Sequence, residues 1–424
     1  MNSEMAAITM NQDATAALVP KLRFPEFRGE EEWTMKAGNS LFAQIKDRNP
    51  EPGLQVLAIT QEHGAIPRHM IDYHVSVTEK SIESYKVVQV GDFIISLRSF
   101  QGGIEYSRYH GICSPAYVIL RRRVKGSDEF FRHYLKTDGF IRILTRNLEG
   151  LRDGKMISYA QFSELMLPIP GHDEQTKIAD CLNSLVELIA AQARKIGALK
   201  TLKKGLMQEL FPREGEAKPR LRFPEFQDAG EWVPEALENL TSAKISYGIV
   251  QAGPHVSDGM PYIKSTDLNS RLSLANLART SDAIAKKYRR SEVLPGDIVF
   301  SLRGNIGVAQ IVPETIPVAN LTQGTARIRT KESPDFYFYA LQCPSVRNRI
   351  LAVGKGSTFQ EISLQALRNI QLDHPDPAEQ QRIASCLSRL DALITAEIQK
   401  LEALKTHKKG LMQQLFPSAE EVEA

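Results

Sequence analysis

No stretch of this 424-residue chain approaches the roughly 20 consecutive apolar residues that a membrane-spanning helix needs, so no membrane span is expected. Cysteine is scarce, with four residues that show neither a disulfide framework nor metal-ligand spacing. Cys181 and Cys386 fall at matched places in a repeated segment, where a small, buried apolar residue is useful. Such usage suits a reducing compartment, and the cytoplasm is the expected location. The nine histidines form no His-Glu-x-x-His, no metal spacing and no triad with a nucleophile. No glycine-rich cofactor loop follows a strand. The run GKGST at Gly354 to Thr358 lacks the upstream glycine of a phosphate loop, and Gly356 parts Lys355 from Ser357. The Asn-Pro-Pro-aromatic and Asp-Pro-Pro-aromatic tetrapeptides of adenine methyltransferases are also missing, and no carboxylate pair stands out. These absences argue against catalysis and suit a binding protein.

Charge excess is also missing: 53 Lys and Arg oppose 50 Asp and Glu, a net charge of +3, which speaks against a protein that coats phosphates unaided. The charge is uneven, with 11 basic against 7 acidic residues over 101–170 and 10 against 13 over 1–100. Residues 1–20 contain no basic residue, carry Glu4 and Asp13, and fit neither a secretory nor an organellar signal. They read as a disordered leader.

What the chain does contain is a long repeat. Glu174 to Pro212 returns as Glu379 to Pro417 with 24 identities in 39 positions, at an offset of 205. KLRFPEF at Lys21 to Phe27 returns as RLRFPEF at Arg220 to Phe226, and Trp33 as Trp232, both at an offset of 199. The chain is therefore a tandem: residues 21–172 form one globular module and 173–212 a central helix, residues 213–377 form a second module and 378–417 a distal helix, and 418–424 are a tail.

Within the first repeat Ile178, Leu182, Leu185, Ile189, Ile196 and Leu199 continue to Leu206 and Leu210 in steps of four and three, with Gln192 and Lys203 in the gaps. The second gives Ile383, Leu387, Leu390, Ile394, Leu401 and Leu404, then Leu411 and Leu415, with Glu397 and Lys408 in the gaps. Each is a heptad seam wanting one partner helix. A parallel pairing in repeat register would set Lys203 against Lys408, whereas an antiparallel pairing separates them. The expectation is an intramolecular antiparallel coiled coil with a pseudo-twofold axis; pairing between two chains is the competing arrangement. Each repeat ends in KKGLMQxLFP, with Lys203, Lys204 and Gly205 or Lys408, Lys409 and Gly410 before Pro212 or Pro417. Lysines there favour the helix dipole, with phosphate contact as the alternative. At about 1.5 Å per residue each helix spans on the order of 50 Å, enough to hold two modules facing sites about one turn of duplex DNA apart.

The modules read as mixed α+β with strand-rich cores. A Gly-Asp turn feeds an apolar strand in each, at Val90 to Arg98 and Pro295 to Arg303. Alternation puts Phe93, Ile95 and Leu97 on one face and Ile94, Ser96 and Arg98 on the other, with Ser301 and Arg303 beside Val299 in the second copy. Glycine-bearing loops follow at Ser99 to Ser107 and Gly304 to Gln310. Short strands are expected in Gln55 to Pro67 and Met260 to Asn269, with polar ends at Thr60, Gln61, Lys264, Ser265 and Asp267. Helical pattern covers Asp128 to Leu148 and Ser333 to Val353. Two further loops, Leu151 to Ser158 and Gly354 to Ser363, carry lysine with small polar residues.

Two unlike modules interleaved with two near-identical helices resemble the specificity subunit of type I restriction-modification systems. The likeness covers nearly the whole chain and rests on EQxxIAxCL, KKGLMQxLFP and LRFPEF, together with GDFIISLRSFQGG, GICSPAYVIL and PGDIVFSLRG. It implies a non-catalytic reader of double-stranded DNA, in which each module is a target recognition domain for one half-site and the coiled coil sets the gap. It also implies two adenine methyltransferase subunits docked on the repeated helices and restriction/translocase subunits beyond them, so that S-adenosylmethionine, ATP and Mg²⁺ belong to partners. Base-reading residues do not follow from the resemblance. Loop chemistry nominates Arg98, Gln101, Arg152 and Lys155 in the first module and Arg303, Asn305, Lys355, Ser357, Thr358 and Gln360 in the second. A coiled-coil scaffold carrying two ligand-binding modules with no DNA role is the alternative.

Overall fold

A computed structural model describes residues 18–71, 82, 84–146, 157–354 and 361–417. It divides into two compact units, residues 1–193 with 400–424, and residues 194–399. Each unit therefore holds part of both long helices, His172–Glu209 and Pro377–Leu415.

Both units repeat one plan. The first carries an antiparallel four-stranded sheet in the order Phe42–Ile45, Val118–Arg122, Phe93–Ile95, Glu105–Tyr106; the second matches it with Ser246–Tyr247, Thr325–Ile328, Ile298–Ser301, Ala309–Ile311. Each adds a two-stranded ribbon that joins the module's beginning to the residues just before its long helix: Thr34–Ala37 with Met166–Ile169, and Val233–Ala236 with Gln371–His374.

The sheet explains why the central strand is apolar on every residue. Phe93 and Ile95 enter a core with Phe42, Leu120, Phe130, Phe131 and Leu182, while Ile94 packs on the other side with Ile119, Leu57 and Ala65. In the second unit Ile298 and Phe300 face the helix-side core, and Val299 packs with Ile263 and Leu321 opposite. The expected alternation of a mixed face is thus corrected. Both faces of Phe93–Ile95 are covered, the strand ends at Ile95, and Leu97 and Arg98 lie beyond it, exposed. Full burial of each such side chain contributes about 1.5 to 3 kcal/mol. The two long helical patterns inside the modules are also each broken in two: Asp128–Tyr134 and Asp138–Arg146, then Pro334–Gln342 and Pro344–Val353. Pro344 forces the second break, because proline cannot continue the preceding hydrogen-bonding pattern.

The repeated motifs meet at a joint within each unit. Arg23 lays its guanidinium on Glu174 at the start of the central helix, with Nε to Oε1 at 2.9 Å and Nη2 to Oε2 at 2.8 Å, and donates to the carbonyls of Glu30 and Glu31. Arg222 does the same to Glu379 at the start of the distal helix, and to the carbonyls of Ala229 and Gly230. The adjacent glutamines close the second-last carbonyl before each helix, Gln175 onto Pro170 and Gln380 onto Pro375. The other helix arrives by its end. Trp33 packs on Phe416 with ring centroids 6.4 Å apart, and Trp232 on Phe211 at 5.8 Å. Leu22 and Leu221 each donate a backbone N–H into the last turn of the arriving helix, at Gln414 and Glu209. LRFPEF, the distant tryptophan, EQ and LFP are therefore parts of one contact made twice.

Inside the second unit the helices run antiparallel: Lys203 bonds Asp391 at 2.6 and 2.7 Å, and Lys195 bonds Glu397 at 2.5 Å. Along both helices every seam position is buried or half-buried. Ile178, Leu182, Ile196, Ile383, Leu387 and Ile394 are buried, and Leu185, Ile189, Leu199, Leu390, Leu401 and Leu404 are half-buried. Cys181 and Cys386 are only half-buried, which corrects their expected place in the core; Cys113 and Cys343 are the buried thiols.

Candidate nucleic-acid interface

The exposed loop after the central strand is held from beneath in both units. Gly91 and Gly296 adopt φ of 95° and 85°, which turns the chain so that Asp92 and Asp297 point inward. Asp92 accepts from the N–H of Gln89 and from both arms of Arg121; Asp297 accepts from the N–H of Leu294 and both arms of Arg329. The paired carboxylate, through its hydrogen bonds above all, raises the pKa of Arg121 and of Arg329. The recurrent Gly-Asp is thus a structural clamp that fixes where the strand leaves the sheet. Sequence spacing points to neither arginine, because the two lie about 30 residues downstream with no local pattern.

In the first unit the strand exits into Arg98 and a single helical turn, Ser99–Gly102. Ser99 Oγ accepts from the N–H of Ser96, and Ser96 Oγ from the N–H of Arg98, which hold the exit tightly. Gly103 sits at φ 78°, where a Cβ would fall against the carbonyl of Leu135. The tip of the hairpin formed by Leu57–Thr60 and Gly64–Pro67 docks here: Gln61 Nε2 donates to the Arg98 carbonyl at 3.2 Å and Lys136 Nζ to the Gln61 carbonyl at 3.3 Å. Arg98 and Gln101 remain exposed, as do Gln61 and His63.

The second unit uses the same exit with different chemistry. Arg303 is exposed, bridges Glu361 backbone to backbone, and pairs with its carboxylate at 2.8 Å. Asn305 donates Nδ2 to Asn269 Oδ1 at 2.8 Å, which joins this loop to the end of the Ser265–Asn269 turn. Gln61, Asn269 and Glu361 are therefore neighbours that sequence spacing could not supply. Arg152, Lys155, Lys355, Ser357, Thr358 and Gln360 lie outside the described residues.

Each cluster offers amide and guanidinium donors with amide or carboxylate acceptors on rigidly anchored loops, the groups that discriminate base edges in a groove. The titratable groups nearby offer little for covalent chemistry. Burial pushes the Cys113 thiol up to about 12, and burial with the neighbouring Arg132 holds His133 down to about 4. Among the described residues no group of three or more His, Cys, Asp or Glu could hold a metal ion, and no helix is long and apolar enough to cross a membrane.

With this geometry in view, comparison with known proteins gives a consistent picture. Residues 250–406 match the family model described as type I restriction modification DNA specificity domain. The chain is thus similar to the type I restriction-modification specificity subunits. It is 25% identical to the EcoBI specificity subunit of Escherichia coli over 63% of this chain and 60% of that one, and 23% identical to the MjaVIII specificity subunit of Methanocaldococcus jannaschii over 93% and 95%. Its fold is that of a chain solved in work on complex assembly and conformational transition of the type I R-M system, with TM-score 0.58, 17% identity and coverage of 91% and 97%. The S subunit of M. genitalium gives TM-score 0.54 at 16% identity, covering 94% and 99%. Two α+β domains with long helices are thus the architecture of this chain.

Proposed function

We propose that this specificity subunit reads a bipartite DNA target, with one short word per unit and a gap set by the long helices. The observation that carries the reading is the pairing of constancy with difference. Sheet order, Gly-Asp clamp and helix joint are the same in both units, while the loop they present changes from Arg98, Gln101 and Gln61 to Arg303, Asn305 and Asn269. Identical scaffolds with unlike reading groups suit two unlike words.

The chain's part is recognition, and the chemistry belongs to partners. Leu188 and Leu393 occupy equivalent repeat positions away from the seam and are both exposed. That repetition supports docking of two copies of one methyltransferase subunit, each meeting the same apolar contact. Restriction/translocase subunits complete the restricting complex. S-adenosylmethionine serves the methyltransferases, and ATP with Mg²⁺ the translocase. Mapping methylated adenines in host DNA with and without this chain tests the reading. A split, asymmetric methylated motif that vanishes on deletion supports it, and an unchanged methylation pattern refutes it.

A further inference from the structure

The first unit contains a groove of about 620 Å³ between the helix Asp138–Arg146 and the last turns of the distal helix. Among the described residues Lys21, Lys136, Arg142, Lys405, Lys408 and Lys409 line it, against a single carboxylate, Asp138. Lys136 is engaged by Glu105 and Lys405 by Glu402. Lys21, Arg142, Lys408 and Lys409 have no ion-pair partner among the described residues. Lys408 is half-buried, and burial with the nearby Arg132 lowers its pKa, so the groove holds its positive charge at a cost.

The corresponding lysine of the second unit is differently placed. Lys203, the repeat equivalent of Lys408, is neutralised by Asp391 at 2.6 Å and lies 5.1 Å over the ring of Tyr339. The repeat equivalent of Asp391 in the first unit is Val186, and Lys408 pairs with no carboxylate among the described residues. The matching depression beside the central helix end is lined by Met207, Gln208, Phe211 and Cys343, with Arg213 and Glu214 its only charges. The valine-for-aspartate difference thus leaves Lys408 unpaired among the described residues where Lys203 is paired.

The groove is also continuous with the candidate reading loop. A neighbouring depression of about 500 Å³ shares Lys136, Lys408 and Met412 with it and reaches Gln61 and His63, and Gln61 bonds the Arg98 carbonyl. Lys136 and Lys408, with Arg108 and Arg132 beyond them, thus form a cationic track from the distal helix end toward the strand exit, with Glu62 and Glu105 also lining it. Such a track fits a repeating anion laid beside the reading loops.

We propose that this groove binds the phosphodiester backbone of duplex DNA, without regard to sequence, as a contact peculiar to the first unit. The proposal rests on the DNA-reading function above. Its test uses the full chain, a labelled duplex carrying the methylated motif, and anisotropy across a salt series. Removal of one lysine or arginine from a phosphate flattens the slope of log K against log salt by about 0.9, which is about 8-fold in affinity at about 0.1 M relative to 1 M salt. Combining Arg142→Gln, Lys408→Gln and Lys409→Gln should remove about 2 to 3 from the slope and at least about 100-fold in affinity, leaving the preference for motif over scrambled duplex unchanged. The charge-matched set Lys200→Gln, Lys204→Gln and Lys218→Gln, all exposed residues of the second unit, should leave the slope unchanged. Should the triple variant misfold, the exposed pair Lys21→Gln and Lys409→Gln must still flatten the slope by about 1 to 2. A wild-type slope in the groove variants, or equal loss in the matched set, overturns the proposal. So does a variant that keeps its DNA slope and instead loses copurifying protein, which would mark the groove as a protein dock. If the unaltered chain shows no salt-dependent DNA binding, the DNA reading falls with it.

Discussion

Arg23→Ala removes one side of an ion pair whose members are almost wholly enclosed, with side chains 7% and 1% exposed for Arg23 and Glu174. Glu174 then loses two hydrogen bonds and remains buried, and the carbonyls of Glu30 and Glu31 lose theirs. Breaking one side of a buried pair costs about 3 to 5 kcal/mol, chiefly because the survivor keeps an uncompensated charge. For a unit of roughly 200 residues, at about 2 to 4 °C per kcal/mol, the melting transition of the first unit should fall by about 6 to 20 °C. Calorimetry and urea melts of the full chain would show this, together with Arg222→Ala as the matched lesion in the second unit. The pair Arg23→Met with Glu174→Met removes both charges while keeping bulk, and should recover most of the loss. A single-variant cost under about 1 kcal/mol, or a double variant as damaged as the sum of its parts, would refute the claim that the repeated motifs form a charge-locked joint.

Other outcomes follow from the same geometry. His133 is held down to about 4 against an ordinary 6.5, so the unfolded chain takes up its proton first as pH falls. Stability present above about 6.5 is lost between there and about 4, up to about 3 kcal/mol, and His133→Gln should flatten that part of the urea-melt pH profile. Gly103→Ala puts a side chain at φ 78° against the Leu135 carbonyl; selection of bound duplexes should show the first word weakened and the second intact. Arg303→Ala should cost about 1 to 3 kcal/mol at the second word alone, and equal loss at both words would assign the residue to folding instead. One heptad inserted in either long helix should lengthen the gap or abolish binding without altering either word.

The repeated helices were legible because a heptad period survives tertiary context, and a lysine in the seam dictated polarity through simple repulsion. The structure adds the partner of that lysine, Asp391, which was in plain sight but needed antiparallel register to matter. The central strands misled because FII and IVF are buried on both faces, a case in which alternation carries no information. The break at Pro344 was readable from the proline, whereas the gap between Tyr134 and Asp138 had no such mark. Arg121, Arg329, Gln61 and Asn269 reach their sites across 29 to 37 residues of chain, so no local spacing announces them. The joint is the instructive case. Its four motifs were each visible as repeats, and only folding shows that they touch.

On the proposal above, two units of one architecture read two different words. Selection of bound duplexes from a random pool by the full chain, at salt low enough to retain binding, tests it most directly. Two short fixed words separated by an unread gap of constant length are expected, with Arg303→Ala relaxing only one of them. A single continuous word, two words at variable spacing, or no enriched sequence would contradict it.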